Sequence, residues 1–122
     1  MNFQKIGFIG LGLIGGSIAK KIKANCPETQ IYATAHHIET IQEAYKEGII
    51  ENSNLLSMSD FSECDCIFLC APVQRNLDYL AQLKDIIKKD CYITDVGSTK
   101  TEIHEEVIRL GMEANFIGGH PM

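Results

Sequence analysis

Three clusters of residues in this chain have types and spacings that suit chemistry. The first is Gly10-Leu11-Gly12-Leu13-Ile14-Gly15, which follows the apolar run Lys5-Ile6-Gly7-Phe8-Ile9. Glycines at this spacing, between a strand and a helix, fit a dinucleotide. Gly10 allows the tight turn, Gly12 lets backbone approach a pyrophosphate, and Gly15 lets the helix pack close to the strand. The helix start at Leu13 and Ile14 then offers unpaired N–H groups and a positive dipole end to the phosphates. A tight turn that holds no ligand is the plainer alternative. The second cluster is Asp95-Val96-Gly97-Ser98-Thr99-Lys100, and the third is Gly118-Gly119-His120-Pro121-Met122. A histidine approached through two glycines and followed by a rigid proline suits a positioned imidazole. Such a group takes the proton from an alcohol as hydride leaves the same carbon; a loop histidine without duty is the alternative. Gly97 and Ser98 leave a strand at its carboxyl end, so the Ser98 hydroxyl can reach a nicotinamide or a substrate. It equally suits the N-cap of a helix beginning at Thr99, and the two roles are compatible. His104 sits among Glu102, Glu105 and Glu106 and reads as a solvated surface residue.

These clusters need a frame, and the periodicity supplies one. Short apolar runs alternate with helical patterns, as in a parallel sheet covered by helices. Strands are expected at 5–9, 30–34, 66–70, 91–95 and 115–117. Helices are expected at 14–24, 38–47, 74–89 and 99–110, with Gly48 and Gly111 as terminal caps. Leu77, Leu80, Leu83 and Ile87 mark the apolar face of the third helix. Segment 49–63 reads either as a short strand with one helical turn or as mostly loop. The expected architecture is α/β, a doubly wound, mostly parallel sheet of the Rossmann type, in one domain spanning 1–122.

In such sheets an acidic residue usually follows the second strand and holds the ribose 2′-hydroxyl of NAD. Here the strand leads instead to Ala35, His36 and His37. Without a carboxylate, a 2′-phosphate meets no repulsion, and His36, His37 and Thr40 can donate hydrogen bonds to it. This tilts the site toward NADP, or toward weak discrimination between NADP and NAD; both histidines as plain loop residues is the competing reading. Cys70-Ala71-Pro72 ends its strand at the topological switch point, where its backbone would line the ribose and nicotinamide side. Pro72 also serves simply as a strand stop.

Composition bounds the alternatives. With 122 residues, 45% of them hydrophobic, the chain has material for one core. A net charge of -5 with scattered Lys and Arg argues against a nucleic-acid surface. No apolar run reaches membrane-spanning length, and the N-terminus lacks the form of a secretory signal, so a cytoplasmic protein is expected. The five cysteines fall mostly in apolar runs without histidine at ligand spacing, so they read as reduced, small hydrophobes and no metal is expected.

Taken together, 5–17, 95–100 and 118–122 resemble the N-terminal, cofactor-binding domain of prephenate dehydrogenase, including its arogenate-using relatives. The pairing of Asp-Val-Gly-Ser-Thr-Lys with Gly-Gly-His-Pro-Met is the specific part of that resemblance, which covers essentially the whole chain. It implies NAD(P)-dependent oxidative decarboxylation in tyrosine biosynthesis. Hydride leaves the ring carbon bearing the 4-hydroxyl of prephenate, carbon dioxide departs, and 4-hydroxyphenylpyruvate forms. By the same resemblance His120 accepts the hydroxyl proton, and Ser98 hydrogen-bonds substrate, nicotinamide and His120. The family's helical C-terminal domain carries the arginine for the substrate carboxylate and most of the dimer interface, and it is absent from this sequence. The chain alone is therefore expected to bind dinucleotide with little turnover, and a homodimer is expected only for a full-length form. A β-hydroxyacid-type dehydrogenase shares the glycine loop, and a non-catalytic NAD(P)-sensing module is the alternative outside enzymes.

Overall fold

The computed structural model describes residues 3–96 and 100–117. The strands are β1 (Lys5–Ile9), β2 (Gln30–Thr34), β3 (Cys66–Leu69), β4 (Tyr92–Asp95) and β5 (Phe116–Ile117), all parallel, in the order β2-β1-β3-β4-β5. Helices α1 (Leu13–Asn25), α2 (Ile38–Lys46), α3 (Val73–Leu83) and α4 (Lys100–Leu110) connect them. The expected doubly wound Rossmann sheet is present.

Alternation along the strands divides the apolar residues between two cores. Ile6, Phe8, Ile31, Ala33 and Cys66 face α1 and α2 through Ala19, Ile41 and Ala44. Ile9, Ile67, Leu69 and Ile93 face α3 and α4 through Leu80, Leu83, Ile103 and Val107. Gly7 points to this second face, where a Cβ would lie 2.5 Å from Cδ1 of Phe61. Its missing side chain is what admits the buried Phe61 ring against β1.

Segment 49–63 contains a 3-10 turn, Met58–Phe61, but no strand. The physical reason lies at the outer edge of β2, where side-chain atoms stand in for a ladder. Glu51 N–H donates to Ile31 O at 2.7 Å. Buried Asn52 accepts the Ala33 N–H on Oδ1 at 3.0 Å and donates from Nδ2 to Ala33 O at 2.9 Å. One carboxamide thus satisfies both backbone groups of Ala33, and the chain is free to turn away toward the opposite face.

The third helix also ends earlier than its periodicity suggested, at Leu83 instead of residue 89. The N–H groups of Ile86 and Ile87 both turn back to Leu83 O, at 2.9 and 3.0 Å, which tightens the chain into a turn. Ile87 still packs against the core, so the apolar spacing is satisfied without helix. Beyond that turn Lys88 reaches Asp65, the residue before β3, with Nζ 2.5 Å from Oδ1. The strand expected at 66–70 stops at Leu69, although Cys70 N–H still donates to Ile9 O at 2.8 Å.

Register decides where the candidate site can be. Ile9 pairs with Thr34 on one side and Leu69 on the other, and Leu69 pairs with Asp95. The carboxyl ends of β2, β1, β3 and β4 therefore form one row. β1 and β3 are neighbours from which the chain departs toward opposite faces, which makes the gap between them the switch point.

Candidate functional site

The turn after β1 is held from two sides. Gly10 has φ +89°, and a Cβ on it would lie 2.8 Å from Ala71 N and 2.9 Å from Ala71 Cβ. Both its conformation and its contact with the backbone after β3 require glycine. The N–H groups of Gly10 and Leu11 both donate to Thr34 O, at 2.9 and 3.0 Å. The turn is thereby bonded to the end of β2, and ligand-directed donors must come from the helix that follows.

Helix α1 supplies them. Gly12 is its N-cap and makes no side-chain cap bond, and no acidic residue occupies the first turn. The Gly16 N–H closes the first turn onto Gly12 O at 2.7 Å, so Leu13, Ile14 and Gly15 precede any intrahelical acceptor. The side chains of Leu13 and Ile14 are 93% and 58% exposed, which leaves backbone as their contribution to a phosphate. A Cβ on Gly12 would meet nothing within 4 Å, so the cradle is open on that side. Uncapped N–H groups, a dipole of 13 residues and an open glycine fit a pyrophosphate. Gly15 packs on Cys70 and, less closely, on the turn: a Cβ on it would lie 3.2 Å from the Cys70 sulfur and 3.6 Å from Gly10 O.

Cys70, Ala71 and Pro72 form the other wall. Burial, with a smaller contribution from Asp95, pushes the Cys70 thiol up to about 12, so it packs as a neutral group. Ala71 N–H donates to Oδ1 of Asn76 at 3.2 Å, and Asn76 Nδ2 donates to Oδ2 of Asp95 at 2.8 Å. In the sequence Asp95 stands at the head of the 95–100 cluster without a role of its own, and Asn76 belongs to none of the three clusters. The available signal was position: Asn76 lies on the same helical stripe as Leu80, Leu83 and Ile87, a polar residue where an apolar one is expected.

At the end of β2, Ala35 is followed by exposed His36 and His37. Their rings meet edge to face with centroids 4.7 Å apart. His37 is the N-cap of α2 and makes no side-chain cap bond, and Glu39 lies in the first turn of that helix. Thr40 is half-buried and its N–H donates to His37 O at 3.2 Å. The structure thus gathers Gly10, Gly12, Leu13, Ile14, Gly15, His36, His37, Thr40, Cys70, Ala71 and Pro72 at one edge of the sheet. Gly97, Ser98 and His120 lie outside the described residues. His104 is exposed on α4, as expected.

The remaining features lie elsewhere. A groove of about 840 Å³ runs from the amino ends of β1 and β2, with Phe3, Ile6, Ile22, Cys26 and Phe68 in its walls. Its position opposite the glycine turn sets it apart from the candidate site. Among the described residues no group of three His, Cys, Asp or Glu could hold a metal ion, and no helix is long and apolar enough to cross a membrane.

Comparison with known proteins matches this geometry to a family. The family model described as "Prephenate dehydrogenase, nucleotide-binding domain" matches residues 18–122. A prephenate dehydrogenase of Lactococcus lactis is 44% identical over 98% of this chain, which spans 34% of that relative's length. The crystal structure of the Aquifex aeolicus prephenate dehydrogenase, in complex with hydroxyphenyl propionate and NAD+, superposes with a TM-score of 0.86 at 30% identity. That alignment covers 100% of this chain and 43% of the A. aeolicus chain. A Synechocystis arogenate dehydrogenase superposes with a TM-score of 0.81 at 32% identity, covering 96% of this chain and 40% of that one. A parallel sheet of this order, matched by that family model from residue 18 to residue 122, places this chain in the family of prephenate dehydrogenase nucleotide-binding domains.

Proposed function

We propose that this chain is the cofactor-binding part of an NAD(P)-dependent enzyme that oxidatively decarboxylates prephenate, or arogenate, to an aromatic product. The observation that carries the reading is the uncapped start of α1 beside open Gly12, at the junction of β1 and β3. When bound there, the dinucleotide supplies the hydride acceptor. The backbone of 13–15 holds its pyrophosphate, and the backbone of Ala71 and Pro72 lines its nicotinamide half. His120 takes the proton of the substrate hydroxyl, and Ser98 orients that hydroxyl against the nicotinamide. Aromatisation favours the reaction, so alignment is the main task of the protein. By the resemblance above, the arginine that holds the substrate carboxylate belongs to the family's helical domain.

The finer proposal concerns which dinucleotide binds. Ala35 removes the carboxylate that would repel a 2′-phosphate, and His36, His37 and Thr40 offer donors at the edge where the adenosine ribose would lie. Glu39 acts against them. On balance NADP+ binds at least as tightly as NAD+. Calorimetric titration of the chain with each cofactor tests this. Saturable binding is expected, with the double change His36→Ala and His37→Ala weakening NADP+ alone. Equal loss for both cofactors would remove the histidines from phosphate recognition, and no binding of either would refute the cofactor site in this chain.

A further inference from the structure

The chain just after β3 and the end of β4 are tied together by a side chain that the proposed chemistry does not use. Asn76 is completely buried on α3. Its carboxamide orientation is dictated by its partners: the Ala71 N–H must meet Oδ1, and the Asp95 carboxylate must meet Nδ2. Burying a carboxamide is costly unless its atoms are paired, and leucine at this point of the stripe would serve packing alone. What the amide adds is a link between two strand ends. Ala71 is the residue packed against Gly10, and Asp95, itself buried, directly precedes Val96-Gly97-Ser98.

We propose that Asn76 is a positioning residue for the nicotinamide half of the cofactor site. Its carboxamide sets the spacing between the backbone at Ala71–Pro72 and the carboxyl end of β4 at Asp95. This rests on the dinucleotide reading above. The adenosine half is held independently, because the glycine turn is bonded to β2 through Thr34 O and its phosphate donors belong to α1. Loss of the Asn76 link therefore acts on one half of the ligand.

The test compares Asn76→Leu and Asn76→Asp with the unaltered chain, using NAD+ against ADP-ribose, and NADP+ against 2′-phospho-ADP-ribose. Asn76→Asp sets two carboxylates face to face. Combining it with Asp95→Asn restores one carboxylate and one carboxamide, with the Ala71 N–H still accepted. The expected result is a dinucleotide affinity lowered about tenfold in each single variant, with the fragment lacking nicotinamide bound within about twofold of the unaltered chain. The combined exchange should recover most of the lost affinity. If both ligands weaken equally, Asn76 has a general structural role and the proposal fails. Unchanged dinucleotide binding in folded Asn76→Leu also overturns it. Should either single variant not fold, the combined exchange decides: normal ADP-ribose binding with poor NAD+ binding would show that the geometry is not set by this pair. If the unaltered chain binds neither dinucleotide, the cofactor reading itself falls, and this proposal with it.

Discussion

Replacing the glycines of the turn one at a time separates folding from binding. Gly10 sits at φ +89°, and an added Cβ would lie 2.8 Å from Ala71 N and 2.9 Å from Ala71 Cβ. A side chain in a left-handed conformation costs about 1–2 kcal/mol. Forcing apart backbone that is already in contact adds about 1–3 kcal/mol. Gly10→Ala is therefore expected to destabilise the chain by roughly 2–5 kcal/mol, a large share of the ~5–15 kcal/mol of a typical domain. At Gly12 a Cβ meets nothing within 4 Å, and φ is −119°. Gly12→Ala should cost under about 1 kcal/mol, the scale of an N-cap change. Yet its methyl group would stand where a pyrophosphate approaches the backbone, so dinucleotide affinity should fall at least about tenfold. Urea unfolding and calorimetric titration on the same samples read both quantities. A Gly12→Ala chain that is folded and binds NAD+ and NADP+ as the unaltered chain does would refute the placement of the phosphates. A Gly10→Ala chain of unchanged stability would refute the close approach to Ala71.

Burial pushes the thiols of Cys64, Cys70 and Cys91 up to about 12 and that of Cys66 to about 11, whereas Cys26 is exposed. Iodoacetamide at about pH 8 should therefore modify Cys26 alone in the native chain, as peptide mass mapping would show; early labelling of Cys70 would contradict its packing against Gly15. The hydrogen bond from Lys88, aided by the N–H groups of Lys5 and Gln4, holds the Asp65 carboxyl below its ordinary 3.8. Because the folded-state value is the lower one, this stabilisation is present above 3.8 and is lost as pH falls through the folded-state value. Asp65→Asn should thus lower the urea midpoint at neutral pH and lose that effect in strong acid; a pH-independent difference would contradict the linkage. Asn52→Ala would strip both backbone partners from Ala33 and should cost about 2–3 kcal/mol by urea unfolding. A loss below about 0.5 kcal/mol, the range of ordinary surface substitutions, would mean that the edge of β2 does not need this carboxamide.

Much of this frame was legible because its signals are local. Apolar runs of strand length, Gly48 and Gly111 with φ +76° and +71°, and the glycine turn all act within a few residues. What was not legible depends on contacts distant in sequence. Nothing in 49–63 announces that Asn52 will pair with Ala33 and displace a strand. The early end of α3 lies in the turn closed on Leu83 O, which the helical spacing of Leu80, Leu83 and Ile87 does not reveal. Within the candidate site, the turn, the histidines and the end of β3 are candidates from residue type alone, whereas the Ala71–Asn76–Asp95 link is visible only in the fold. The spacing that makes Gly15 a close-packing glycine does not reveal what it packs on, which is Cys70 just after β3.

A dinucleotide is expected to bind at the carboxyl edge, across the ends of β2, β1 and β3. Mapping amide shifts in a ¹⁵N-labelled chain titrated with NAD+ and NADP+ tests it most directly. The largest changes are expected at the amides of 12–15, 35–37 and 70–71, with little change along the groove bounded by Phe3, Ile22 and Cys26. Saturable shifts centred on that groove, with the amides of 12–15 unmoved, would contradict it.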